Sequence, residues 1–303
     1  MNIRKLLTAL LSLTLGMTGA SAQLLWKVTG NGVKDATYLF GTHHLAPVSM
    51  HASVAGFADA MASVSGVVGE IDMSAASDPA NMQTIMTMSM APADSLLTSL
   101  LTPAQTDSVD TVLARLTGGQ LTVAGMARVK PATLATQLAM LQHMTDPVIA
   151  EAVSSGQQLD TKVQQLAREA GKQVDGFETL EQQLQILMGA PLTEQAEALM
   201  ETVRGCMDGS ANEKVGKLNR AYLNRNLDSI AEIFFDPAQM TADEMKRLVT
   251  DRNMAWAGKL DTLMHERPVM VAVGCGHLPG DKGLIALLRR MGYTVEPVGQ
   301  FAE

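Results

Sequence analysis

Aromatic side chains make up only 4% of this 303-residue chain, too few for a surface built to stack nucleic-acid bases. Basic residues are also in short supply. The 23 Lys and Arg face 31 Asp and Glu, a formal net charge of −8, which argues against nucleic acid or an anionic membrane as a partner. There are two cysteines, Cys206 and Cys275, whose spacing fits no zinc ribbon and no C-x-x-C pair. A single disulfide, two free structural thiols, or a ligand or reactive role for Cys275 all stay open. No stretch beyond the N-terminus is long and apolar enough to span a bilayer.

The N-terminus itself has a distinct pattern. Arg4 and Lys5 precede an apolar run from Leu6 to Met17, and Ala20-Ser21-Ala22 supplies small residues at a cleavage position. This reads as a secretory signal peptide over residues 1–22, with a mature chain starting at Gln23 in an extracytoplasmic, periplasmic setting; a retained amphipathic anchor is the alternative. Residues 23–303 suit a single domain of α/β (α+β) class. The expected architecture is a central mixed sheet under a large helical cover, with 78–191 and 193–264 largely helical.

The chemistry gathers around an echo. Tyr38-Leu39-Phe40-Gly41-Thr42-His43-His44-Leu45 returns as Val271-Ala272-Val273-Gly274-Cys275-Gly276-His277-Leu278. Each is an apolar strand, then a glycine where the chain is expected to turn, then a histidine. In an open α/β sheet, ligands bind outside the carboxyl ends of strands, where His44 and His277 would both fall. A third apolar run, Val64 to Ile71, delivers Glu70 to the same kind of position, and a buried carboxylate is costly there without a partner or a metal. Glu178 follows a short strand at Gln173–Phe177, and either joins the site or opens the helix Leu180–Met188.

Elsewhere the pattern is mostly helical. Met82, Met86 and Met90 share one face of a helix; such faces bind copper in some extracytoplasmic proteins but more commonly serve as flexible packing or a mobile lid. Thr102-Pro103 opens a helix that Gly118-Gly119 ends. Leu159–Gly171 is amphipathic through Leu159, Val163, Leu166 and Ala170. A long helix over Ala242–Met264 carries Asp251-Arg252-Asn253, which by itself reads as a solvated polar face. The chain closes with strand, helix and strand through Val298.

Taken together, GTHH at Gly41–His44, GEID at Gly69–Asp72, GK-V-GFET from Gly171 to Thr179, DRN at Asp251–Asn253 and GCGH at Gly274–His277 resemble the TraB/PrgY/GumN family. Its better-studied relatives include the TIKI metalloproteases, which cleave secreted signalling proteins. The resemblance runs from Trp26 to about Pro297. It implies a metal-dependent hydrolase with His44, His277 and Glu70 as metal ligands and with Glu178, Arg252 and Asn253 as further site residues. In that reading Glu178 is a second ligand or the general base, Arg252 holds an oxyanion or a substrate carboxylate, and Asn253 is its hydrogen-bonding neighbour. His43, beside His44, makes the liganding member of the first motif ambiguous; counting selects His44. Two imidazoles and a carboxylate suit a divalent ion such as zinc, manganese or cobalt with a position open to water. The expected substrate is a peptide or protein. The competing expectation is a non-enzymatic binder that sequesters a peptide or a metal complex in the same crevice.

Overall fold

The computed structural model describes residues 23–145, 149, 157–237 and 240–299; the stretch read as a signal peptide, residues 1–22, lies outside them. The chain forms an α/β fold around a six-stranded mixed sheet of order β4-β3-β5-β2-β1-β6. The strands are β1 (Leu25–Gly30), β2 (Thr37–Thr42), β3 (Gly66–Gly69), β4 (Gln173–Gly176), β5 (Val269–Gly274) and β6 (Tyr293–Pro297). β1 and β2 form a hairpin, with Leu25 opposite Phe40; Asn31 and Gly32 both adopt positive φ in its turn, which asparagine and glycine tolerate best. β1 is antiparallel to β2 and β6, while β2, β5, β3 and β4 run parallel to one another.

That order brings distant segments together. β5 enters between β2 and β3, so its parallel partners lie some 200 residues earlier in the chain. Its residues Val269–Val273 are all buried, as suits a strand covered on both faces. The closing strand-helix-strand unit is parallel, but β2 and β1 separate its two strands, and β6 pairs with β1.

Helices differ from expectation where the backbone breaks. Residues 51–62, which by pattern read as one helix, split between Met50–Ser53 and Phe57–Ser63, divided at Gly56 with φ +79. The helix expected over Ala242–Met264 has three parts: Ala242–Met245, a π-helical turn Lys246–Thr250, and Asp251–Glu266. A further helix, Leu227–Phe234, follows Ser210–Leu223 after Arg225, whose φ is +58. The helix Pro103–Thr117 has the expected N-cap at Thr102, a complete capping box with Gln105, and a left-handed Gly118 at its end.

The apolar residues form two clusters. One surrounds the sheet and takes in β1, β2, β3 and β5 with Trp256, Leu260 and Tyr222. The other is helical and joins Leu97, Val109, Leu113, Leu134, Leu138, Leu199 and Val203. Cys275 belongs to the first and Cys206 to the second, and both are buried free thiols. The structure therefore excludes the disulfide option. The methionine helix Pro79–Ser89 has no buried residue, with Met82 and Met86 both exposed. No described helix is long and apolar enough to cross a membrane.

Candidate functional site

Four neighbouring strands end at one edge of the sheet, and each hands over a polar residue there. His43 and His44 follow β2, Glu70 follows β3, Glu178 lies just past β4, and His277 closes a 3-10 turn after β5. Pairing continues beyond the formal end of β3 and β4, since Phe177 N donates to Gly69 O at 3.0 Å and Glu178 N to Glu70 O at 2.9 Å. The glycines of the two motifs serve close approach rather than the sharp turn expected of them. Neither Gly41 nor Gly274 has positive φ. A Cβ on Gly41 would sit 3.1 Å from Cys275 Cβ, and one on Gly274 would sit 3.2 Å from Glu70 Oε1, so the first motif packs closely on the second and the second on Glu70.

Arg252 ties the buried end of the site together. Its Nε and Nη2 donate to the two oxygens of Glu178 at 2.8 and 2.9 Å, and Nη2 also donates to Glu70 Oε2 at 2.6 Å. Nη1 donates to Leu248 O at 3.2 Å and faces His277 Nε2 at 3.3 Å. A guanidinium has five N–H donors, and these five partners account for all of them. The ring of Trp256 lies 4.6 Å below the guanidinium and donates its own N–H to Glu178. Glu70 completes its set with Gly274 N at 3.0 Å and Gln183 Nε2 at 3.1 Å. Burial opposes its ionisation, yet His277, Arg252 and the Gly274 N–H outweigh it and hold the carboxyl down to about 2.

The tautomer of His277 follows from its neighbours. Asn253 Nδ2 donates to two backbone carbonyls, His277 O at 3.1 Å and Lys282 O at 2.9 Å. Carbonyls only accept, so the amide oxygen must be the atom that faces His277 Nδ1 at 2.7 Å. Nδ1 then carries the proton and Nε2 the lone pair. Burial, helped by the adjacent Arg252 charge against the pull of Glu70, lowers this histidine to about 4. His277 is therefore neutral at pH 7.

His44 has the opposite environment. Its Nδ1 is 2.8 Å from Asp160 Oδ2, and its side chain is 54% exposed. The Asp160 charge, working against partial desolvation, pulls it up to about 9, with solvent on the open face screening part of that pull. Asp160 is itself buried and accepts a second bond from Thr42 Oγ1 at 2.5 Å. The neighbouring His43 turns to a different partner, Asn219 Oδ1 at 2.7 Å, beside the Tyr222 ring; burial lowers it to about 4.

These residues share a crevice of about 450 Å³, lined by His43, His44, Glu70, Asp160, Arg252 and His277 at its polar end. Its walls are apolar, from Ile71, Met73, Leu180, Leu187, Phe234 and Leu248. The family model for TraB/PrgY/gumN matches residues 24–297 of the sequence. The chain belongs to the TraB/PrgY/gumN family. No curated protein and no solved structure matches it.

In this TraB/PrgY/gumN chain the six expected site residues fall into two groups. His44, Glu70, Arg252 and His277 line the crevice. Glu178 and Asn253 do not: Glu178 lies behind Arg252, lining a separate cleft of about 930 Å³, and Asn253 is fully buried behind His277. Asp160, Thr42, Gln183 and Asn219 were not expected. Arg252 and Asn253 had a signal, since Arg252, Trp256, Leu260 and Met264 fall at intervals of four and share the buried stripe of one helix. Asp160 had none, because an acid in the first turn of a helix is ordinary.

Among the described residues, no group of three or more His, Cys, Asp or Glu side chains is placed to hold a metal ion. The chemistry of the donor set gives the reason. A fixed guanidinium stands 2.6 Å from Glu70 and 3.3 Å from His277 Nε2, so the two donors already have a cation between them. As arranged here, His44, Glu70 and His277 do not close around a divalent ion.

Proposed function

We propose that the chain is an extracytoplasmic hydrolase that cleaves peptides in this crevice. One observation carries the reading: two histidines on the same crevice are driven to opposite protonation states, His277 neutral and His44 charged. Environments that push two titratable groups apart are how a site assigns its acid and its base. His277, with Nδ1 committed to Asn253, offers Nε2 to the proton of an attacking water that displaces the 3.3 Å contact of Arg252 Nη1, with the Glu70 carboxylate beside it as a second acceptor. His44 faces the other side as a donor, to the carbonyl oxygen or to the departing amine. The apolar walls exclude water from a substrate's side chains and strengthen the polar contacts at the closed end. Arg252 has no free donor for substrate and acts by holding Glu70 and His277 in place, with Glu178 behind it fixing the guanidinium.

The divalent-ion dependence implied by the family requires Arg252 to yield Glu70 and His277 to the ion. The test is a mass-spectrometric digest of a peptide library by the mature chain, run with chelator and with added manganese, cobalt or zinc. Cleavage is expected, lost in His44→Ala and His277→Ala and largely kept in His43→Ala. The second reading, a binder without turnover, is favoured by the same saturation of Arg252. It predicts captured but intact peptides under every condition.

A further inference from the structure

The helical cover reaches the first histidine motif through Asp160. Asp160 stands in the first turn of Leu159–Glu169, 116 residues from His44 in the chain. Its carboxylate is divided between two residues of the first histidine motif: Oδ1 accepts from Thr42 Oγ1 at 2.5 Å, and Oδ2 meets His44 Nδ1 at 2.8 Å. Only 6% of the residue is exposed. Gln164, one turn further on, fastens the same helix to the segment after Glu70, accepting from Met73 N and donating to Ile71 O, both at 2.8 Å. One helix thus spans from His44 to the segment that follows Glu70.

We propose that Asp160 is the positioning residue of His44: it grips the ring through Nδ1, is itself locked by Thr42, and so presents Nε2 to the crevice. Three observations support this. A histidine whose other nitrogen is held by a carboxylate has its ring orientation and its protonated nitrogen fixed. His44 is more than half exposed, so no packing would hold its ring without that grip. His43, one residue earlier, cannot substitute, because Asn219 holds it by Nε2, the opposite ring nitrogen. The consequence is that the helical cover is part of the site, and loss of the Asp160 carboxylate alone would release His44 while Arg252, Gly274 and Asn253 still hold Glu70 and His277.

The role assigned to His44 rests on the hydrolase reading, but its orientation can be read without turnover. In nitrogen-15 NMR of the full mature chain, with His44 assigned by its loss in His44→Gln, the Nδ1-bound proton of His44 should lie far downfield, the mark of a charged acceptor. Asp160→Asn and Asp160→Ala should both abolish that signal while the His277 ring signals stay unchanged. Thr42→Val, which leaves the carboxylate in place, should weaken it. In the peptide assay, Asp160→Asn should lower kcat by about 10- to 100-fold with KM changed less than about 3-fold, and Asp160→Glu should recover part of the loss. A downfield His44 signal that survives in both variants would overturn the proposal, as would a kcat unaffected by Asp160→Asn. If the wild-type chain cleaves nothing, the hydrolase reading falls and the NMR result alone decides whether Asp160 orients His44.

Discussion

At the residue scale, the buried end of the site depends on Arg252. Glu70 and Glu178 are 15% and 9% exposed and both rely on this one guanidinium. A buried ion pair is weak support for stability as a whole, but removing one partner strands the other. Arg252→Met should therefore cost about 3–5 kcal/mol in urea unfolding. Arg252→Lys should recover little of it, because an ammonium has three donors on a point charge where five in a planar fork are used. His277 offers a second test. Asn253→Ala removes the acceptor of its Nδ1 proton and leaves two carbonyls without donors, so a loss of about 1–3 kcal/mol is expected. The ring of His277 should keep its proton on Nδ1, because Arg252 Nη1 still faces Nε2, but the Nδ1 proton should move upfield for want of its acceptor.

At the element scale, the two histidine motifs act as one packed unit. Gly41 lies against Cys275, and Gly274 against Glu70. Gly274→Ala should push the Glu70 carboxylate off the Gly274 N–H and lower activity more than stability, whereas Gly41→Ala should destabilise by about 1–3 kcal/mol through overpacking. Thermal unfolding set beside peptide cleavage separates the two effects. This scale also shows how far the sequence can be read. Apolar runs place the strands that carry the two histidine motifs and Glu70 within a few residues, because a strand's pattern follows directly from its burial. The π-helical turn at Lys246–Thr250 is invisible to such a pattern, and it directly precedes the helix that carries Arg252 and Asn253. Read alone, Asp251-Arg252-Asn253 resembles a solvated triplet; in the fold, Arg252 is 8% exposed and Asn253 0%.

At the scale of the whole molecule, the histidines set how stability depends on pH. His43 and His277 are each lowered from 6.5 to about 4. Below 6.5 the unfolded chain takes up protons that the folded chain refuses, so the stability they contribute is complete above 6.5 and is lost as pH falls through about 4. His44 has the reverse sign. Raised from 6.5 to about 9, it contributes stability that is complete below 6.5 and is lost as pH rises through about 9. Urea unfolding across this range should show a maximum near 6.5, with the alkaline limb the shallower because His44 is partly in solvent. His277→Gln should flatten the acid limb and His44→Gln the alkaline one.

The sequence by itself determined the strands, the two histidine motifs, the acid after the third strand and, through their combination, the family. These are local features, written in apolar periodicity and in short spacings between residue types. Only the tertiary structure decided which polar groups meet. β5 had to enter between β2 and β3 before His277 could stand beside Glu70, and the helix Leu159–Glu169 had to pack against that edge before Asp160 could reach His44. Hydrogen bonds and ion pairs between residues 74 to 182 positions apart leave no periodic trace in the chain. They arise because buried charges must find partners, and the partners available are set by the order of the strands.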